Sequence, residues 1–422
     1  MTEWYEELGI KESYFADDSV CLIHGDCREL TLSGVSAVVT DPPYELSFMG
    51  KSWDSKGVSF QKETWEKIRS YCLSGTPLLS FGGSRTQHRI ACAIEDAGWK
   101  IRDMLIWVYG SGFPKSLDIS KAIDKATNTE REIIGLVKGM GKQNPEWNGT
   151  AKGRKENSFC PEYAKTSPSS LSGSWSGYGT ALKPAYEPII LAMNPLDKTF
   201  ANNALKYGVA GLNIDECRVG YQSDYDKSQA TPQGICTSKE ISAIGAEPDA
   251  GRGMERLSFD RPELKGRFPA NFLHDGSQEV MELFPQSKGQ QGDVRGTEKS
   301  HTGDENTNCY GEYNRMAFGK RNDSDGSAGR FFYCAKASKS ERGVANSHPT
   351  VKPLALMEYL CKLVRMPEYN LVIDPFCGSG TTLLACMKLG IRCVGIDSDE
   401  QSCEIATIRY LKAQSEASKW LS

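Results

Sequence analysis

Two short segments from opposite ends of the chain carry residue types that could do chemistry. Leu371–Leu384 reads LVIDPFCGSGTTLL: a buried-strand pattern, then Asp374, a turn with Gly378 and Gly380, then a helix starting at Thr381 or Thr382. Glycines in such a turn let backbone approach a ligand closely and leave the helix N-terminal NH groups free, as in nucleotide sites at strand ends. No Lys follows the second glycine, so this is not a P-loop, and Leu383 stands where a third dinucleotide-type glycine would be. The next strand pattern ends in Gly395-Ile396-Asp397, and an acidic residue at that tip can accept hydrogen bonds from two ribose hydroxyls. Together these features point to a nucleoside cofactor.

The second segment is Val38-Val39-Thr40-Asp41-Pro42-Pro43-Tyr44, a strand pattern followed by a carboxylate, two prolines and an aromatic. Each proline fixes φ and removes a donor, which leaves the carbonyls of Asp41 and Pro42 able to accept from an incoming group. An amine held between the Asp41 carboxylate and a proline carbonyl would have its lone pair turned out of the ring plane. It would then be a nucleophile without a covalent intermediate. Tyr44 would offer a stacking face to a planar base that has left its neighbours.

These segments need a sheet to hold them. Apolar and β-branched runs occur at Val20–His24, Val35–Thr40, Pro77–Phe81, Met104–Val108, Pro188–Met193, Leu371–Asp374 and Cys393–Ile396. They are continuous, not alternating, as expected of parallel strands covered on both faces. Helical patterns at Glu63–Leu73, Arg85–Ala97, Leu354–Val364, Thr381–Leu389 and Glu400–Leu411 supply the cover. The expected fold is an α/β, Rossmann-like, seven-stranded, mostly parallel sheet.

The middle of the chain differs in kind. Thr166–Thr180 reads TSPSSLSGSWSGYGT, with six Ser and three Gly in fifteen places, the composition of a mobile loop. Gln286–Arg330 also lacks apolar periodicity. Lys138–Lys165 sets six basic residues against three acidic ones, interleaved with Trp147, Phe159 and Tyr163, a pattern suited equally to a nucleic-acid surface and to a solvated loop.

With 422 residues, 39% hydrophobic and 25% charged, the chain can bury a large core, which excludes whole-chain disorder. The net charge of −4 excludes a globally basic nucleic-acid wrapper but not a local basic groove. None of the 14 cysteines forms a CxxC pair, so reduced thiols are expected in place of a zinc ribbon or disulfide scaffold, and no metal site is expected. The absence of a long apolar run and of a secretory N-terminus predicts a cytoplasmic protein with no membrane contact.

The motifs taken together resemble the amino-group DNA methyltransferases that use S-adenosylmethionine, in the circularly permuted group where DPPY precedes the glycine motif. The matching residues are Asp41-Pro42-Pro43-Tyr44, His348-Pro349-Thr350-Val351-Lys352-Pro353, Asp374 through Thr382, and Gly395-Ile396-Asp397. The resemblance implies that Asp41, Pro42 and Tyr44 are catalytic. It places Phe376, Gly378 and Gly380 along the cofactor, Asp374 near its amino group, Asp397 on the ribose and Asp26 at the adenine. Thr350 and Lys352 would meet the methionine end, and His348 would be structural. It further implies that residues 1–118 and 330–422, with a strand near 187–193, form the cofactor-binding domain, while 119–329 form the target-recognition region. Lys183 is a candidate phosphate contact there. The segments Leu182–Pro188 and Arg267–Asn271 resemble parts of phage-type methylases. Double-stranded DNA is the implied partner, with adenine N6 favoured over cytosine N4, and over RNA or protein amines. A homodimer and a restriction partner both stay open.

Overall fold

The computed structural model describes residues 3–46, 57–110, 112, 116–138, 162–221, 227, 265–287, 292–294, 318–321, 326–335 and 352–421. They divide into two compact units, Met1–Gly110 with Tyr186–Ser422, and Ser111–Ala185.

The larger unit is built on a mixed sheet. In chain order its strands are β1 (Phe15–Ala16), β2 (Val20–His24), β3 (Ala37–Thr40), β4 (Pro77–Phe81) and β5 (Lys100–Val108). In the smaller unit β6 (Ile133–Lys138) and β7 (Glu162–Thr166) form a hairpin. The larger unit resumes with β8 (Tyr186–Met193), β9 (Phe272–His274), and the short pairs β10 (Gln286–Ser287) with β13 (Gly326–Ser327) and β11 (Gly292–Val294) with β12 (Phe318–Arg321). It ends with β14 (Tyr333–Cys334), β15 (Leu371–Asp374) and β16 (Arg392–Asp397). Among the described residues the main sheet has ten strands in the order β1-β2-β16-β15-β3-β4-β8-β5-β9-β14.

All seven expected strands lie side by side in this sheet. The three it adds, β1, β9 and β14, are two or three residues long, too short to leave a periodic signal. Arg267–Asn271 leads into β9: Arg267 exchanges backbone hydrogen bonds with Val219, and the Asn271 carbonyl accepts from the Ile106 NH of β5. β8 runs antiparallel to both β4 and β5, while β2, β16, β15, β3 and β4 are mutually parallel.

Alternate residues of the central strands feed two cores, one on each face. Leu22, Val39, Leu79 and Val372 pack with helices Leu354–Leu363 and Thr381–Leu389, whereas Cys21, Val38, Leu78 and Ile373 pack with helices Lys62–Tyr71 and Gln87–Asp96. This two-sided burial explains why the strands read as unbroken apolar runs. Helix Glu400–Leu421 extends well past the expected Leu411. Among the described residues no helix is long and apolar enough to cross a membrane.

In the smaller unit the Ser/Gly-rich segment departs from the expected mobile loop. Asp124, on helix Ile119–Ala126 and only 2% exposed, accepts hydrogen bonds from the hydroxyls of Ser169 (2.5 Å) and Ser172 (2.7 Å) and pairs with Arg131. A buried carboxylate needs such partners, and serines spaced along a loop supply them without any apolar signal.

Candidate functional site

Strand topology gathers the expected site residues from distant parts of the chain. β3, β15 and β16 are adjoining parallel strands, so Asp41, Asp374 and Asp397 all stand at their carboxyl ends. Because β8 is antiparallel, its beginning lies at that same edge, where the Gly82 NH, just past β4, donates to the Pro188 carbonyl. Glu187 is thereby delivered to the DPPY turn. Crevices at such an edge are where open α/β sheets bind ligands.

At the glycine turn, Gly378 and Gly380 adopt left-handed conformations (φ 53° and 77°). A Cβ on Gly380 would also come within 2.8 Å of the Ala406 side chain, so two independent constraints demand glycine there. Helix Thr381–Leu389 starts directly after it. Half-buried Asp397 accepts from the NH groups of Gly378 (2.7 Å) and Asp399 (2.9 Å), binding the tip of β16 to the turn. Gly25 donates its NH to the Asp397 carbonyl, which places the neighbouring Asp26 beside that tip, where it holds a salt bridge with Arg28 at 2.6 Å. Phe376 is partly buried against the core. From the C-terminal helix, Arg409 donates to the backbone and hydroxyl of Ser379 and braces the turn from behind.

Asp374 is buried, at 2% exposure. Its carboxylate accepts from the hydroxyls of Thr40 (2.7 Å) and Thr382 and from the Phe376 NH (3.2 Å). Burial pushes its pKa up to about 6 despite those hydrogen bonds. The residue braces the turn through these three contacts.

The DPPY end is organised by side chains. Pro42 is buried; the Pro43 carbonyl accepts from Ser59 Oγ (2.7 Å) and the Tyr44 carbonyl from Thr86 Oγ1 (2.8 Å), so hydroxyls pin the turn. Lys352, only 9% exposed, places Nζ 2.7 Å from Asp41 Oδ2 and 3.0 Å from Glu187 Oε2. The Tyr44 hydroxyl lies 2.8 Å from Asp41 Oδ1, 2.9 Å from Glu187 Oε2 and 3.1 Å from the Lys352 ammonium. Tyr109, just past β5, donates to the other oxygen of Glu187 at 3.3 Å.

One ammonium thus serves two carboxylates, and one phenolic proton faces an oxygen of each. Burial raises the pKa of Asp41, the Lys352 charge opposes that, and the Glu187 charge adds to it. Burial together with both carboxylates pushes Tyr44 well above its ordinary value, so it is a neutral donor. The two carboxylates hold Lys352 in its charged form against the cost of burial.

Lys352, expected at the methionine end of a cofactor, therefore has its ammonium on Asp41 and Glu187. Thr350 and His348 lie outside the described residues, as does 139–161, which holds most of the basic and aromatic stretch. Lys183 precedes β8 in the smaller unit. Sequence reasoning missed Glu187 and Tyr109. The available signal was a charged residue opening an otherwise apolar strand.

One edge of an open α/β sheet thus carries a glycine turn, an acidic strand tip and a buried polar cluster. A family model described as DNA methylase, for the N6 and N4 methyltransferases, matches residues 35–407. The chain belongs to this DNA methylase family. Among characterised relatives, the Type II methyltransferase M2.DpnII of Streptococcus pneumoniae is 36% identical over 93 residues, covering 22% of this chain and 34% of that one. The Type II methyltransferase M.MjaII of Methanocaldococcus jannaschii is 49% identical over 57 residues, 14% of this chain and 11% of the other. The matched stretches span about a third or less of these relatives. Solved structures similar to this chain include an M1.HpyAVI–SAM complex, at 14% identity and TM-score 0.34, covering 93% of this chain and 99% of that one. The cytosine-N4-specific PvuII DNA methyltransferase has 12% identity and TM-score 0.42, covering 95% and 89%.

Proposed function

We propose that this protein transfers a methyl group from S-adenosylmethionine to an exocyclic amine in double-stranded DNA, the N6 amine of adenine. The observation that carries this is the alignment of Asp41, Asp374 and Asp397 on adjoining parallel strands, although more than three hundred residues separate the first from the others. Adenine is favoured because Asp opens the DPPY motif, as is typical of adenine enzymes in the family it resembles.

The glycine turn fits an adenosyl group: the left-handed Gly378 and Gly380 leave no Cβ over the turn, and the half-buried Asp397 and Asp26 carboxylates stand at adjacent strand tips. S-adenosylmethionine, when bound, supplies a methyl group on a cationic sulfur. Asp397 would hold the ribose hydroxyls, Asp26 and Phe376 the adenine, and Thr350 the methionine end. Residues 1–118 and 330–422 would serve the cofactor, and 119–329 the target sequence.

The DPPY cluster acts on the acceptor. Asp41 accepts a hydrogen bond from the amine, with the Pro42 carbonyl as second acceptor. That interaction strengthens as nitrogen gains positive charge in the transition state. The amine would take the methyl through its own lone pair while the carbon–sulfur pair stays on sulfur, and the cationic product would then release its extra proton, so no strong base is needed. Tyr44 supplies a stacking face for the extruded base. Asp41 serves only when ionised, so activity should fall with acid at a pH above the usual carboxylate range, because burial raises its pKa. The test offers methyl-labelled S-adenosylmethionine with DNA, RNA and protein acceptors. Label in DNA alone is expected, and label confined to RNA or protein would refute the assignment.

A further inference from the structure

We propose that Glu187 is a positioning residue for the transfer: it holds the Lys352 ammonium and the Tyr44 hydroxyl against Asp41, so that this carboxylate meets the amine in one orientation. The inference rests on the reading that Asp41 contacts the target amine.

Three observations support it. Antiparallel β8 brings Glu187 to the catalytic edge from a segment far from either motif. Its two oxygens are both committed, Oε2 to Lys352 (3.0 Å) and Tyr44 (2.9 Å) and Oε1 to Tyr109 (3.3 Å), so its own orientation is fixed. Finally, the cluster holds more negative charge than a structural ion pair needs. Lys352 and Asp41 already neutralise one another, and a second mostly buried carboxylate, 20% exposed, adds a desolvation cost that stability alone does not require. Such an excess fits a device that tunes and orients Asp41.

Among the described residues, the charged and titratable groups acting on Asp41 are Lys352, Glu187 and Tyr44, and the Asp41 charge acts in turn on Asp374 at the neighbouring strand end. The Glu187 charge raises the pKa of Asp41. Replacing it with a neutral isostere should move the acid limb of the pH–rate profile to lower pH while slowing transfer, a combination that lost stability alone does not produce.

The test compares the full-length wild type, Glu187→Gln and Glu187→Asp by thermal unfolding, by calorimetry with S-adenosylmethionine, and by single-turnover methyl transfer to duplex DNA across pH. Glu187→Gln is expected to bind cofactor as the wild type does. It should transfer roughly tenfold to a hundredfold more slowly, the size of one or two charge-assisted hydrogen bonds, with its acid limb shifted down. Glu187→Asp should recover part of the rate and return the limb towards its original place. A Glu187→Gln variant with wild-type rate and profile overturns the proposal, as does a rate loss that tracks the unfolded fraction with the profile unmoved. If the wild type transfers no label to DNA, it is the underlying function that fails. The contact is then read from the 15N ammonium resonance of Lys352, assigned by its loss in Lys352→Met. Broadening of that resonance in Glu187→Gln supports the positioning contact, and an unchanged resonance overturns it.

Discussion

Asp41 and Asp397 occupy equivalent places, one residue past β3 and at the last residue of β16, yet the molecule treats them differently. The Asp397 carboxylate accepts from backbone NH groups of Gly378 and Asp399, from the same glycine motif and strand tip. Around Asp41 the partners are the side chains of Lys352 and Tyr44, with Glu187 one contact further, drawn from widely separated segments. Backbone donors cannot titrate or change rotamer, so the first arrangement suits a fixed recognition element. Side chains of opposite charge can shift one another's ionisation, which suits a carboxylate that must respond as charge develops on a reacting amine.

The comparison makes separable claims, and the largest effect should come from its catalytic side. Asp41→Ala should lower the single-turnover rate by about a hundredfold or more, ~3 kcal/mol of transition-state stabilisation, while calorimetric affinity for S-adenosylmethionine stays near that of the wild type. An equal loss of cofactor binding would merge the two regions into one site.

Asp374, between them, sharpens the contrast through stability. Its pKa, about 6, lies above the ordinary value near 4, so the folded state holds the proton more tightly than the unfolded chain does. The stabilisation is fully present below about pH 4 and is lost as pH rises through about 6; it amounts to as much as ~3 kcal/mol. Urea unfolding at a series of pH values should show this loss in the wild type and not in Asp374→Asn. Parallel pH dependences in the two proteins would assign the slope to other groups.

On the recognition side, Asp397→Ala should weaken cofactor binding by roughly one to two orders of magnitude, from two lost hydrogen bonds of ~1.5 kcal/mol each. The transfer rate at saturating cofactor should change far less, and an unaltered dissociation constant would move the ribose contact elsewhere. The smallest effect is expected from Tyr44→Phe, which keeps the stacking face but removes the hydroxyl that faces both carboxylates, costing ~1 kcal/mol. Tyr44→Ala should lose a further ~1–3 kcal/mol with the ring. With 2-aminopurine at the target position, fluorescence should rise on binding to the wild type and rise further with the alanine variant. A flat signal from bound DNA would remove the stacking role.

The same contrast explains what the sequence made legible. Strands buried on both faces announce themselves as apolar runs, so Pro77–Phe81 and Leu371–Asp374 coincide with β4 and β15. The glycine turn is a local motif whose partners are mostly its own neighbours, and it was readable for that reason. Glu187 and Tyr109 were not, because the meeting of Glu187 with Lys352 and Tyr44, and of Tyr109 with Glu187, depends on which strands adjoin and in which direction β8 runs. The burial of Asp374 was hidden likewise, since its partner Thr40 belongs to another strand. Asp124 shows the same limit in the smaller unit: a loop of serines gives no sign of the carboxylate that will anchor it.

The central claim is that the Asp41 end of the sheet methylates an exocyclic nitrogen. It is tested most directly by digesting duplex DNA, after incubation with methyl-labelled S-adenosylmethionine and either wild type or Asp41→Ala, and identifying the labelled nucleoside. The account predicts label in N6-methyldeoxyadenosine with the wild type and almost none with the variant. Label in N4-methyldeoxycytidine would correct the base while keeping the chemistry. Label on a ring carbon, or equal labelling by the two proteins, would contradict the account.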